Sequence, residues 1–275
     1  MASEFPSTVF SVGPSWTGFA SLKFLVIFGA SYADVGYEYS ASPVPTHDEP
    51  LGVEFPGATM YVEDGEPNWV GHLITNYAPS DHPLLVYDYA KGGSRVYNVK
   101  NQIEVMFQQH IAQKPHWAPW TSADTLFITW VGINDCAWGA EHGDNLEKLF
   151  DAQETLCNHG ARNFLFVNVP PIDRSPVRGH APSYIAWNVE LKKAAPLFAE
   201  RHPDATVMVY SAWDTFNVLL DDPEAHGFPP QDVRRREGSI WFDHLHPTSK
   251  VHDFIARDMS AFLSAQPAYT EVKSE

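Results

Sequence analysis

Short runs of β-branched and aromatic residues alternate with stretches of helical period along most of this chain, and that alternation limits the folds open to it. Strands are expected at Phe24 to Phe28, Leu84 to Tyr89, Thr125 to Val131, Phe164 to Val169 and Thr206 to Tyr210. They read as buried parallel strands. Between them Ile103, Met106, Phe107, His110 and Ile111 share one helical face, and Leu146, Leu149, Phe150, Leu156 and Cys157 share another, with Gly160 placed to end that helix. Val251, Phe254, Ile255, Met259 and Phe262 repeat the pattern near the C-terminus. Strict alternation of strand and helix predicts a doubly wound α/β fold with right-handed connections. That fold is a three-layer α/β/α sandwich around a five-stranded parallel sheet in the flavodoxin-like order 2-1-3-4-5.

With 275 residues, 44% of them apolar, the chain is expected to form one domain over 1–275, in which 1–20 is an N-terminal extension. Two irregular segments rich in Pro, Gly and charge, Gly36 to Gly65 and Asp221 to Gly238, are long enough to be functional loops near a site. The second carries Arg234-Arg235-Arg236, read as a solvated ion-pairing face. Lys plus Arg number 18 against 34 Asp plus Glu, and the net charge of -16 argues against nucleic acid or an anionic membrane as partner. The longest apolar run, Leu22 to Ala30 with Lys23 inside it, falls well short of the roughly 20 residues a membrane helix needs. Met1 to Trp16 lacks a signal-peptide pattern, and a secreted protein with its signal removed is favoured over a cytoplasmic one. Cys136 and Cys157 allow at most one disulfide, and Cys157, on an apolar helix face, reads as a buried free thiol.

The chemistry-bearing residues fall just past the strands. Ser31 lies three residues past the first, Gly93 four past the second, Asn134 three past the third, and Asp243 with His246 in the loop after the fifth. Ligands of an open parallel sheet bind outside the carboxyl ends of its strands, so all of these are expected in one crevice. Ser31 reads either as a helix N-cap or as a nucleophile whose developing charge a helix N-terminus favours. No G-x-S-x-G surrounds it, so the nucleophile elbow of α/β-hydrolases is absent. In Asp243-x-x-His246-Pro247, His246 reads as a surface or capping histidine, or as a base whose tautomer Asp243 sets; Thr248 is placed to cap the following helix. No third ligand lies nearby to make a metal site of the pair. Gly93 and Asn134 are placed to complete an oxyanion hole with the Ser31 backbone N–H, although Gly92-Gly93 also reads as a plain turn and either glycine can donate. Asp135 reads as a cap for the turn that follows it.

Taken together, Phe28-Gly29-Ala30-Ser31, Tyr89-Ala90-Lys91-Gly92-Gly93, Gly132-Ile133-Asn134-Asp135 and Asp243-x-x-His246-Pro247 resemble the blocks of the SGNH, or GDSL-type, hydrolase superfamily. The resemblance covers nearly the whole chain, including Pro67-Asn68-Trp69-Val70 and the stretch from Asn163-Phe164 to Pro170-Pro171. It implies an SGNH-type fold and a serine esterase with Ser31 as nucleophile, Asp243 and His246 completing the triad, Ser31, Gly93 and Asn134 forming the oxyanion hole, and neither metal nor organic cofactor. The long first loop, the Trp-rich motif surroundings and the ending Trp241 to Pro247 are most similar to fungal acetyl esterases of carbohydrate esterase family sixteen. The implied reaction removes acetyl groups from acetylated carbohydrates such as xylo-oligosaccharides through an acyl-Ser31 intermediate. The implied partner is a small-molecule or oligosaccharide ester; the oligomeric state is not legible.

Trp138, in a polar turn just past Asn134, and Trp69 are the expected sugar contacts, while at least half of Trp69, Trp130, Trp138 and Trp241 are expected in the core. One departure stands out: Ala30 occupies a position where the family usually carries aspartate, which is expected to loosen the Ser31 turn. Two alternatives stay open. A lipase or thioesterase for longer acyl chains would need an apolar channel that the polar long loops do not suggest, and a non-catalytic carbohydrate-binding protein of this fold has Ala30 as its support.

Overall fold

A computed structural model describes residues 3–79, 82–139 and 141–271. Six strands form one sheet: β1 (Thr8–Ser11), β2 (Phe24–Gly29), β3 (Leu85–Asp88), β4 (Thr125–Trp130), β5 (Asn163–Val167) and β6 (Thr206–Tyr210). Their order is β3-β2-β4-β5-β6-β1. The five strands expected from the sequence are all present, parallel, and in the flavodoxin-like order. The sheet differs from a purely parallel one at its edge, where β1 pairs antiparallel with β6 and makes the sheet mixed. β1 comes from the N-terminal extension, and its four residues are all only half-buried. A short edge strand with one open side carries no continuous apolar run, which is why nothing in its sequence announces it.

The register brings the strand ends level. Phe24 of β2 stands opposite Leu85 on one side and Thr125 on the other, and at the far end Gly29 stands opposite Trp130. The turns after β2, β3 and β4 therefore leave the sheet side by side.

Helices cover both faces: α1 (Trp69–His72), which widens into a π-helical turn at Leu73–Tyr77; α2 (Val96–Asn101), which passes through a π-helical stretch at Gln102–Phe107 into α3 (Gln108–His110); α4 (Ile133–Cys136); α5 (Gly143–Asn158); α6 (Ala181–Arg201); α7 (Ala212–Asp221); and α8 (Ser249–Ser264). The predicted face of α5 is buried throughout, and the chain leaves it through Gly160 at φ +93°, a conformation that suits glycine. On α8, Val251, Ile255 and Met259 reach the core, whereas Phe254 and Phe262 are half-buried at its margin. Cys136 and Cys157 are separate buried thiols, and burial pushes Cys157 up to about 12. The run Arg234-Arg235-Arg236 is exposed, with Arg235 paired to Asp232 and Arg236 to Glu237. Among the described residues no helix is long and apolar enough to cross a membrane.

Candidate active site

The first element of the site is the exit from β2. All six residues of β2 are buried, and a side chain at Gly29 would run into the Trp130 carbonyl of the neighbouring strand. The Gln102 side-chain amide accepts from the Gly29 N–H and donates to its C=O, each at 2.9 Å, and so fixes the chain as it leaves the sheet. The Ala30 carbonyl then accepts from the N–H groups of Ala33 and Asp34, making a tight turn on which Ser31 sits at 7% exposure.

Two buried carboxylates bind this turn to its neighbours. Asp34 accepts from the Gly36 N–H at 2.8 Å and from the Gly92 N–H at 2.9 Å. Asp88, at the end of β3, accepts from Val35 N–H and Ala90 N–H; burial, then the nearby Asp34 charge, pushes its carboxyl well above the usual range. The Asn68 side chain caps α1 by accepting from Val70 N–H and donates to the Asp34 carbonyl. None of these contacts uses the side chain at position 30, so the Ser31 turn is held in place with alanine there.

The same network separates the two glycines. The Gly92 N–H is occupied by Asp34. Gly93, at φ +76° with open space where a Cβ would stand, has an N–H with no protein acceptor among the described residues. Beyond β4, Gly132 at φ +122° lets the chain pass over the ring of Trp187, which occupies the place of its absent Cβ. That turn delivers Asn134, whose side-chain amide donates to the Ser94 carbonyl at 2.9 Å and keeps its second N–H free of that bond. Asp135 accepts from Val96 N–H, so it caps α2 rather than the turn that follows it, and burial raises its carboxyl.

The last element is a tight loop closed by Phe242 N–H on the His246 carbonyl. Asp243 Oδ1 accepts from the backbone N–H groups of Leu245 and His246, at 2.6 and 2.7 Å, which leaves Oδ2 for His246 Nδ1 at 2.8 Å. His246 Nε2 lies 2.8 Å from Ser31 Oγ. The Tyr32 hydroxyl donates to the Leu245 carbonyl, tying the Ser31 turn to this loop. Thr248 occupies the N-cap position of α8, but its hydroxyl donates to Ser239; the Ser249 N–H is taken instead by the Glu63 carboxylate at 2.8 Å. Burial lowers the His246 pKa from 6.5, partly opposed by the Asp243 hydrogen bond and charge. Burial alone would raise Asp243, but hydrogen bonds from His246 and Leu245 outweigh it and hold the carboxyl below 3.8.

Ser31, His246 and Asp243 thus form a continuous hydrogen-bonded line, with Gly93 and Asn134 on neighbouring strand ends. Of the two tryptophans expected at the substrate, they part ways. Trp138 is 75% exposed, with the Arg95 guanidinium 4.8 Å above its ring, and borders an open groove with Tyr97, Glu141, His142 and Asn145. Trp69 is fully buried and packs on Trp130, which packs on Tyr32; it supports the Ser31 turn from inside the core and offers no face to a substrate. Asp34, Asp88 and Tyr32 are site residues that carry no motif signal, because each acts through backbone groups brought close only by the fold.

A second serine-histidine-aspartate set shows what the first requires. His72 Nε2 lies 2.9 Å from Ser249 Oγ, and His72 Nδ1 3.3 Å from Asp253. Ser249 donates its hydroxyl proton to the Pro67 carbonyl at 2.7 Å, so His72 must donate to Ser249 and does not act as its base. This set is a structural clasp.

A mixed α/β sheet that presents serine, imidazole, carboxylate and an unoccupied N–H donor at the ends of its parallel strands is the scaffold of an acyl hydrolase. This chain belongs to the GDSL-like lipase/acylhydrolase family, which it matches over residues 25–259; it is a carboxylic ester hydrolase. It is 28% identical over 269 residues to an acetylesterase of Thermothelomyces thermophilus, covering 86% of this chain and 87% of that protein. It is 21% identical over 322 residues to an acetylesterase of Hypocrea jecorina, covering 90% of each. Its fold is similar to that of an acetylxylan esterase from Geobacillus stearothermophilus, with a TM-score of 0.54 at 15% identity, over 92% of this chain and 100% of that one.

Proposed function

We propose that this esterase removes acetyl groups from acetylated carbohydrates, with Ser31 as nucleophile, His246 as general base and acid, and Asp243 as the group that orients the imidazole. The observation that carries the reading is the line of two 2.8 Å hydrogen bonds from Ser31 Oγ through His246 to Asp243. The Asp243 contact keeps the Nδ1 proton in place, so Nε2 presents a lone pair to the serine hydroxyl. As Oγ attacks the ester carbonyl, the serine hydroxyl proton moves to Nε2, and the oxyanion forms among the N–H groups of Ser31 and Gly93 and the Asn134 amide; each such donor contributes roughly 2.7 to 4 kcal/mol to the transition state. His246 then protonates the departing alcohol oxygen, leaving acetyl-Ser31. Water, deprotonated by the same nitrogen, attacks the acyl carbon; as the acyl–oxygen bond breaks, His246 returns that proton to Oγ, which restores Ser31 and releases acetate. The scheme draws on the chain's own groups, the ester and water.

The acetyl preference is supported by the acetylesterases among its relatives and by the enclosure of Ser31 and His246, each under a tenth exposed. The carbohydrate is supported by the groove beside Asn134, where Tyr97 and Trp138 expose aromatic faces. Purified protein assayed on aryl acetate, butyrate and octanoate, and on acetylated xylo-oligosaccharides, tests both parts; faster turnover of octanoate than acetate would overturn the first. Trp138→Ala should raise KM for an acetylated xylo-oligosaccharide about tenfold, the equivalent of ~1.4 kcal/mol of stacking, and leave KM for an aryl acetate unchanged. Equal effects on the two substrates would remove Trp138 from the binding surface.

The pH dependence follows from burial of the base. Protonated His246 cannot accept the serine proton, and burial disfavours that protonated form, so activity falls only when pH drops through a pKa below 6.5. A profile of kcat/KM on a neutral ester should place its acid limb below that value. A midpoint above it would mean that the imidazole is stabilised as a cation.

A further inference from the structure

We propose that Tyr61 is a positioning residue for the base: its ring covers the His246 imidazole and holds it toward Ser31, with Gly92 as the seat for its hydroxyl end. The proposal rests on the acyl-hydrolase reading of the site.

Tyr61 belongs to the long irregular loop 36–65, which contains no strand or helix, yet it reaches two parts of the site. Its ring centroid lies 4.9 Å from that of the His246 imidazole, with the planes at 39°. Its hydroxyl end packs so closely on Gly92 that any Cβ there would collide with it. Gly92 is therefore required for room, although its N–H is already held by Asp34 and is not free to donate. The loop around Tyr61 is pinned from both sides. Ala58 N–H donates to the Val35 carbonyl at 2.9 Å, beside the nucleophile turn. Val62 is buried, and Glu63 accepts from Ser249 N–H at the start of α8, three residues past His246. A ring fixed in this way shields one side of the imidazole from water and limits its rotation about χ2.

The titratable and charged neighbours of His246 come from three other places: Asp243 and His244 on its own loop, Tyr32 on the nucleophile turn with its ring 5.9 Å away, and His252 on α8. None of these described residues shares a hydrogen bond with Tyr61, whose backbone N–H donates to Thr59, so a shift in the behaviour of the base is assigned to the lost ring. A role confined to loop stability would lower the amount of folded enzyme without moving the pH dependence of what remains.

The test compares kcat/KM against pH on an aryl acetate for wild type, Tyr61→Phe, Tyr61→Ala and Gly92→Ala. Tyr61→Phe keeps the ring and should keep the acid limb and most of the rate. Tyr61→Ala should move the acid limb upward, toward the 6.5 of an open imidazole, and lower the plateau by about 10- to 100-fold, the scale of a misplaced catalytic group. Gly92→Ala, by pushing the ring away, should shift the limb in the same direction. If Tyr61→Ala does not fold, Tyr61→Val carries the same comparison. An acid limb in the alanine or valine variant that superimposes on wild type overturns the proposal. Wild-type protein without Ser31-dependent ester hydrolysis would instead overturn the reading beneath it.

Discussion

Replacing Ser31 with alanine is expected to lower kcat on an aryl acetate by at least about 10⁴-fold while leaving the melting temperature within a few degrees of wild type. The two halves of this expectation have different origins. In the proposed mechanism Ser31 Oγ is the atom that forms the covalent bond, and the look-alike serine among the described residues, Ser249, has already given its proton to Pro67. What remains after the substitution is the proposed oxyanion hole and substrate binding, which are expected to support only a small residual rate. For stability, the alanine removes one hydrogen bond, the 2.8 Å contact to His246 Nε2, from a turn otherwise held by Ala30, Asp34 and Gln102. That loss is worth about 1 kcal/mol. In the proposed mechanism nucleophile and base act as one unit, so adding His246→Ala to Ser31→Ala should change the rate little further. Steady-state kinetics with melting curves on the three variants checks both halves. Retention of more than about a hundredth of wild-type kcat by Ser31→Ala would show that another group attacks the ester.

The residues legible in sequence were those whose position relative to a strand decides their place in the fold. Five apolar runs covered on both faces read as parallel strands, whose carboxyl ends lie together, so Ser31, Gly93, Asn134, Asp243 and His246 were expected in one crevice. What escaped depends on contacts between segments distant in sequence. β1 is half-buried and four residues long, so its Thr8-Val9-Phe10 run is too short to stand out as a strand until β6 is there to pair with it. Asp34 and Asp88 work by accepting backbone N–H groups from neighbouring turns, a role that residue type alone does not advertise. Trp69 and Trp138 both sit close to motifs in sequence, but proximity to a motif says nothing about direction: Trp69 opens α1 facing the core, and Trp138 follows α4 facing solvent. Tyr61 had no signal at all, since the loop that carries it is fixed by ties at Val35 and Ser249. Ala30 is the reverse case, a departure conspicuous in sequence whose turn is secured by other groups.

Asp243→Asn should reduce kcat nearly as far as loss of the serine, by roughly 10⁴-fold, and for a reason that lies in the hydrogen-bond directions rather than in the lost charge alone. Oδ1 of Asp243 accepts from two backbone donors, Leu245 N–H and His246 N–H. An asparagine here must turn its carbonyl oxygen to those donors, because its NH₂ group would face two N–H groups and leave all of them unpaired. The NH₂ is then directed at His246 Nδ1, which must become an acceptor, and the imidazole proton moves to Nε2. Nε2–H now donates to Ser31 Oγ and has no lone pair with which to take the serine proton. The loop geometry survives because both backbone bonds survive, so the melting temperature should stay near that of wild type. Asp243→Ala removes the acceptor for both backbone donors and should destabilise the protein by about 1 to 3 kcal/mol for each donor left buried and unpaired. The two variants therefore separate tautomer control from loop support: both should be nearly inactive, and only the alanine should melt earlier. An asparagine variant with more than about a tenth of wild-type kcat would mean that the His246 tautomer is set elsewhere, and that Asp243 serves the loop more than the base.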